Sequence, residues 1–353
     1  GARHLLVDLK PKDLDIATSA LPNEVKKKVS YSFIIGRRFK LVHARRGEQI
    51  YEIATFRRAA SADELKETEQ DERLFVEENF FGNLQEDSFR RDFTINSLFY
   101  DPLAEEIVDH CAGLQDIENC TLRMIGDPKE RLIEDPIRIL RAIRLSQKLH
   151  FAIEPSLRQA IVENKNELLK SAPPRRREEW VKFFRLKNTE LAFIELFDLG
   201  ILETLMPTMH QLFLDDEKRE LFLSYLRNFN YVGIDLTDTN ELFSAVLLSY
   251  LKSDSSAEIN LNALAENEKF LLICRDEFGV FKAEIATFFQ ALQFIPSLKK
   301  KDSYLKKGER RKRSMLFHQT FKLSLKLAYL TAEISAGEFL FWLNEYELAL
   351  DAG

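Results

Sequence analysis

The 353-residue sequence predicts an α+β protein, a small mixed sheet domain followed by a long all-helical remainder. Three observations predict it. Up to about residue 124, short β-branched and aromatic runs alternate with turn signals; from Asp127 onward strand signals nearly vanish; and the later segments carry apolar residues at helical spacing, punctuated by Gly and Pro. Length alone calls for two or three domains. The expected divisions are 1–124 for the sheet domain, 125–186 for a helical neck and 187–353 for a helical body.

The strands expected in order are "DLDIAT", "SFIIG", "FKLVHARR", "QIYEIATF" and "EIVDH", with turns at Gly36 and Gly47 and a helix at "PNEVKKKV". Between Arg58 and Asn79 the chain is polar and strongly charged, which suits a mobile loop or a poorly packed helix over the sheet. "EDPIRILRAIRLSQKL" then places Pro136 at a first helical position, with Ile137, Leu140, Ile143 and Leu145 along one face. "ELFSAVLLSYL", "EKFLLICRDEFGVFKAEIATFFQALQFI" and "EFLFWLNEYELAL" continue the helical pattern.

Composition narrows the class. Hydrophobic residues at 45% with 31% charged residues describe a globular chain, and no apolar run reaches the length of a membrane span. No secretory leader pattern is present, so a cytoplasmic protein without a membrane partner is expected, acting as a monomer. Cys111, Cys120 and Cys274 lack metal-ligand spacing and read as reduced thiols. A net charge of -6 argues against indiscriminate nucleic-acid binding. Its distribution is uneven, however: Lys299, Lys300, Lys301, Lys306, Lys307, Arg310, Arg311, Lys312 and Arg313 face only Asp302 and Glu309. Such a run is either a solvated face or a phosphate-binding footprint for RNA.

The chemistry concentrates in acids on apolar strands. Asp13 and Asp15 of "KPKDLDIATSALP" alternate with Leu14 and Ile16, so an extended chain puts both carboxylates on one face and directs the apolar pair inward. Like charges so close weaken a strand unless a cation lies between them. Glu52 sits within the apolar "IYEIATFR", and Asp92 follows two arginines in "FRRDF". Singly, Glu52 suits an edge strand, and Asp92 suits a helix cap or a partner for Arg90 or Arg91. Together with Asp13 and Asp15 they offer what phosphoryl transfer through paired divalent ions requires. Hard oxygen donors without a His/Cys cluster select Mg²⁺, with Mn²⁺ as the substitute.

Triphosphate binding needs positive charge, and no glycine-rich loop ending in lysine is present. Gly1 with Arg3 and the arginines of "FRRDF" are the available groups. Arg138 and Arg141 lie three apart on one helix face, and Asp135 precedes Arg138 by the same spacing. A carboxylate accepting from an exocyclic amine beside a guanidinium donating to a ring nitrogen reads the edge of a base. A capping aspartate with a surface arginine pair has the same spacing. In "PPRRREEW" the arginines have Glu178 and Glu179 at hand as ion-pair partners, or RNA. No convergent partner is visible for His43, His110 or His318.

The strings "KPKDLDIATSALP", "IIGRRFKLVHA", "EIATFR", "FGNLQEDSFRRDFTINSLFYDP", "GDPKERLIEDPIRILRAIRLSQKL" and "LGILETLMP", in this order and at matching spacing over residues 1 to about 207, resemble the class II nucleotidyltransferases. That family comprises bacterial poly(A) polymerase and the CCA-adding tRNA nucleotidyltransferase; "IIGRRFKLVHA" is similar to the polymerase form. The resemblance implies a polymerase-β-like head followed by helical neck and body. It implies Asp13, Asp15 and Asp92 as catalytic acids, with Asp13, Asp15 and Glu52 toward metal. Gly1, Arg3, Arg91, Asn96, Asp135, Arg138 and Arg141 are implied for nucleotide binding. The sequence departs from the family pattern at "GARHLL", where His4 replaces an expected acid and the first strand is shortened or missing. The function implied is template-independent transfer of AMP from ATP to an RNA 3′ end. CCA addition to tRNA is the alternative within the family. A non-catalytic RNA-binding protein on a decayed transferase scaffold is the alternative of another class.

Overall fold

The computed structural model describes residues 15–36, 40–59, 80–255 and 259–351. The expected loop of residues 58–79 lies almost wholly outside the described residues, as do Gly1, Arg3, His4 and Asp13. The chain divides into two compact units: one contains the residues up to Glu134 together with Leu149–Ala160, the other Asp135–Lys148 and everything from Ile161.

Among the described residues the first unit is built on a four-stranded sheet. Strands β1 (Asp15–Thr18), β2 (Ser32–Ile35), β3 (Leu41–Arg46) and β4 (Gln49–Thr55) lie in the order β1-β4-β3-β2, with β1 parallel to β4 and the other pairs antiparallel. One face is covered: Val42 and Ala44 are buried, and helix α1 (Pro22–Lys28) packs on β2 and β3 through buried Val25. Pro22 opens α1, and the Glu24 carboxylate accepts from the Leu21 amide at 2.7 Å, satisfying a donor that the helix leaves free. On the opposite face Asp15, Glu52 and Phe33 are exposed, and among the described residues no helix packs there, the pattern of an antiparallel sheet covered on one side only. Ile16, expected to point into a core, is 43% exposed because β1 is an edge strand among the described residues.

Past the sheet, helix α2 (Leu84–Phe89) starts at a reciprocal cap: Asn83 accepts from the Glu86 amide at 2.9 Å and the Glu86 carboxylate accepts from the Asn83 amide at 2.8 Å. The expected strand "EIVDH" forms as β6 (Glu106–Val108), paired with β5 (Phe99–Asp101), which composition did not reveal. Helix α3 (Gly113–Glu118), strand β7 (Thr121–Leu122), helix α4 (Pro128–Glu134) and strand β8 (Ala152–Ile153), parallel to β7, complete this unit around buried Phe93, Ile95, Leu122, Met124 and Leu132.

The second unit is helical. Helix α5 (Ile137–Leu149) belongs to it except for its last residue, and α6 (Pro155–Asn164) enters it at Ile161. Ile137, Leu140, Ile143 and Leu145 of α5 are buried as read from the sequence, and Ile139 and Ala142 are buried with them, so the stripe is broader than that four-residue face. Helix α7 (Pro173–Phe184) buries Trp180, Phe183 and Phe184, which join Phe193, Phe243 and Phe278 in an aromatic core. Among the described residues twelve further α-helices follow: α8 (Thr189–Asp198), α9 (Ile201–Leu205), α10 (Pro207–Phe213), α11 (Asp216–Val232), α12 (Thr239–Asp254), α13 (Leu261–Ala265), α14 (Glu268–Leu272), α15 (Lys282–Leu298), α16 (Lys301–Leu305), α17 (Glu309–Leu316), α18 (Phe321–Leu330) and α19 (Ala336–Asp351). Among the described residues, no helix is long and apolar enough to cross a membrane.

Candidate nucleotidyl-transfer and base-reading residues

Strand register assembles the first group. Asp15 on β1 is the direct partner of Glu52 on β4, Glu52 of His43 on β3, and His43 of Phe33 on β2. Directly paired residues project to the same face. One row across the open face therefore reads Asp15, Glu52, His43, Phe33. The carboxylates of Asp15 and Glu52 sit on neighbouring strands, about 4.8 Å apart at the backbone. Both residues are exposed. Asp15 has no ion-pair partner among the described residues, whereas Glu52 Oε1 lies 3.2 Å from His43 Nε2. Two hard oxygen donors side by side without a basic side chain between them fit a divalent ion of the Mg²⁺ type. The described residues do not bring three Asp, Glu, His or Cys groups together around one ion, and Asp13 is not among them. His43, given no partner from the sequence, has one; only the β3–β4 register could have revealed it.

The segment carrying Asp92 is held from several sides. The buried Asp87 carboxylate accepts from Arg90 Nε at 2.8 Å, from Arg91 Nε and Nη2 at 3.1 and 2.9 Å, and from the Arg57 amide at 3.1 Å. Burial alone would raise this carboxyl, yet Arg90 and Arg91 hold it below the usual carboxylate range. Both arginines are thus engaged by Asp87, not by Asp92. The Asp92 Oδ1 instead accepts from its neighbour's amide, Phe93 N, at 2.9 Å and from Asn96 Nδ2 at 2.8 Å. Arg131 Nη2 donates to the carbonyls of Arg90 and Arg91 at 2.9 and 2.8 Å, and buried Asp116 accepts from Thr94 Oγ1 at 2.6 Å. Gly113 completes the mould: a Cβ there would lie 2.4 Å from the Thr94 carbonyl oxygen. Of the expected nucleotide-binding residues here, Asn96 orients Asp92, and Arg91 spends part of its fork on Asp87 and on the Asn96 carbonyl at 3.1 Å while lying over the Phe99 ring. Asp87, Asp116, Thr94 and Arg131 carry no apolar-strand or repeat signal, so the sequence does not single them out.

In the helical unit, Asp135 sits just before α5, with half-buried Arg138 and Arg141 following on it at intervals of three. The Asp135 carboxylate is gripped by Arg175 of α7: Nη1 donates to Oδ1 at 2.9 Å and Nη2 to Oδ2 at 2.8 Å. A second pair between the same helices joins Arg144 Nε to Glu179 Oε2 at 2.7 Å, and Lys182 donates to the other Glu179 oxygen at 2.8 Å. Burial would raise the Glu179 carboxyl, but Arg144 and Lys182 bring it below its usual range. Arg177 reaches Glu284 at 2.6 Å with its guanidinium near the rings of Phe243 and Phe281. Glu179 of "PPRRREEW" therefore pairs with Arg144 and Lys182 outside the arginine run, and Arg175 and Arg177 bind acids elsewhere in the helical unit.

The basic stretch of 299–313 spans α16 and α17. Lys299 pairs with Glu333 and Lys312 with Glu309; Lys301 lies over Phe341, Arg313 over Phe317, and Lys307 donates to the Met315 sulfur. Lys300, Lys306, Arg310 and Arg311 are exposed without an ion-pair partner among the described residues.

Residues 1–123 match the poly A polymerase head domain, and residues 150–213 match the probable RNA and SrmB-binding site of polymerase A. Poly(A) polymerase I of Haemophilus influenzae is 30% identical over 371 residues, covering 98% of this chain and 79% of that protein. Poly(A) polymerase I of Salmonella typhi is 35% identical over 61% of this chain, a match that spans 47% of that relative. The CCA-adding enzyme of Lactobacillus helveticus is 39% identical over 58% of this chain and 49% of its own length. Among solved structures, the Bacillus stearothermophilus CCA-adding enzyme in complex with CTP shares the fold, with a TM-score of 0.62 at 20% identity over 99% of this chain and 76% of that one. The chain belongs to the class II nucleotidyltransferases, the family of the bacterial poly(A) polymerases and CCA-adding enzymes.

Proposed function

We propose that the protein is a template-independent RNA adenylyltransferase of the poly(A) polymerase kind. The observation that carries the reaction class is the in-register pairing of Asp15 and Glu52 on the open sheet face. The choice of ATP over sequential CTP and ATP is supported by the match to H. influenzae poly(A) polymerase I along nearly the whole chain. In the reaction the RNA 3′-oxygen forms a bond to the α-phosphorus of ATP, the bond to pyrophosphate breaks, and the hydroxyl proton is lost to solvent. Asp13, Asp15 and Glu52 would hold Mg²⁺ or Mn²⁺, which when bound supplies positive charge against the developing negative charge. Asp92, oriented by Asn96, would serve the same centre, and Arg91 would meet the phosphates together with Gly1 and Arg3. Asp135, Arg138 and Arg141 read the incoming base. Lys300, Lys306, Arg310 and Arg311 attract the RNA backbone. The protein works by positioning and charge rather than through a covalent intermediate.

The test is extension of an unstructured RNA with labelled ATP and Mg²⁺. Wild type is expected to add AMP residues, and Glu52→Gln to lose about a hundredfold or more in rate with an unchanged melting temperature. Undiminished extension by Glu52→Gln contradicts the assignment. CCA addition is the second reading, favoured by the Lactobacillus relative and the fold neighbour. Given CTP and ATP with a tRNA lacking its terminus, growth that halts after CCA replaces the first reading.

A further inference from the structure

The first turn of α7 is built against its own helix. It opens Pro173-Pro174-Arg175-Arg176-Arg177 with no acid in the first turn, although the positive end of a helix disfavours cations. A local preference overridden in this way marks a residue kept for a tertiary contact. For Arg175 that contact is both oxygens of Asp135. Prolines at the first two positions of α7 set where its backbone starts, and the Arg144–Glu179 pair ties α7 to α5 further along.

We infer that Arg175 is a specificity-determining positioning residue, which aligns the Asp135 carboxylate so that a base offering an exocyclic amine is accepted and one offering an oxo group is refused. This deepens the nucleotidyltransferase reading and rests on it. A free aspartate turns readily about its last torsion, whose minimum is broad. A guanidinium engaging both oxygens stops that rotation and fixes the carboxylate plane. Each oxygen spends one lone pair on Arg175 and retains another. Asp135 remains reachable, with a quarter of its side chain (25%) exposed, so the retained lone pairs are open to a further donor. Arg175 offers only N–H groups and cannot itself accept, so its role is to hold the acceptor. Adenine and cytosine present an amine donor on the edge where guanine and uracil present an acceptor oxygen, and an acceptor aligned toward that edge leaves the oxo bases unpaired.

The experiment measures kcat and KM for addition of one nucleotide from ATP, GTP, CTP or UTP, alongside melting temperature, for wild type, Arg175→Ala, Arg175→Lys, Asp135→Asn and the double variant Arg175→Ala/Asp135→Asn. Arg175→Ala is expected to lower the ratio of kcat/KM for ATP over GTP by about tenfold or more. Arg175→Lys, which supplies charge without the two-pronged grip, is expected to fall between. In the Asp135→Asn background, removal of Arg175 is expected to change the ratio no further. If Arg175→Ala does not fold, the Lys variant carries the same comparison. An ATP:GTP ratio unchanged in the folded Arg175 variants overturns the role of Arg175 while leaving the transferase intact. Tighter ATP use by Arg175→Ala with selection preserved shows an arginine that competes with nucleotide, and also overturns it. A wild type that extends no RNA with any nucleotide removes the reading beneath it.

Discussion

The side chain with the largest electrostatic burden near Asp92 is Asp87, a buried carboxylate serving two arginines and a backbone amide. Removing its charge leaves Arg90 and Arg91 crowded without a counter-ion, so Asp87→Asn is expected to cost about 2 kcal/mol at neutral pH. The sign of the pH effect follows from the direction of the shift. The folded value lies below the ordinary 3.8, so the stabilisation is fully present above that unfolded value and is lost as pH falls through the lower folded one. Thermal melts of wild type and Asp87→Asn should therefore differ at about pH 7 and converge below about pH 4. A gap that persists unchanged to about pH 2 contradicts this account. At this scale the sequence singled out Asp15 and Glu52 because acids stand out on apolar strands, and Asp92 because it follows two arginines. It did not show what Arg90 and Arg91 hold, because neighbours in sequence compete for partners that only folding brings near.

Among elements, the turn into α3 depends on one missing methylene group. Gly113 lies against the Thr94 carbonyl so closely that any Cβ collides with backbone, which cannot swing aside as a flexible side chain does. Gly113→Ala is expected to destabilise the protein by about 2 kcal/mol. Because the strain falls on the segment that carries Asp92, transfer activity should fall further than stability predicts; urea denaturation and the extension assay on the same preparation check both. A variant as stable and active as wild type is incompatible with the close approach. Strands β2, β3, β4 and β6 and helices α1 and α5 were readable because their apolar periods or turn residues are local signals. Strand β5 was not: three residues are too few to show a period, and β5 is defined by its pairing with β6.

For the molecule as a whole, the opposing facts are a net charge of -6 and a local excess of cations without ion-pair partners among the described residues, on α17 and the turns flanking α16. Long-range repulsion of a polyanion and short-range attraction at this patch make RNA affinity depend on ionic strength. Arg310→Ala with Arg311→Ala is expected to weaken binding of single-stranded RNA and to reduce the slope of log affinity against log salt by about 1.4, near 0.7 for each phosphate no longer neutralised. Filter binding over a range of salt concentrations measures it; an unchanged slope assigns the patch to solvent. The sequence by itself determined the order of the architecture, sheet then helices, the family, and the residue types available for chemistry, because periodicity and motif spacing are properties of the chain. Only the tertiary structure decided that Asp15 stands beside Glu52 and Glu52 beside His43, that Arg175 holds Asp135, and that the cations at 299, 301, 307, 312 and 313 are already engaged. Strand register and helix packing set distances between residues far apart in the chain, and charge pairing follows those distances rather than the order of the letters.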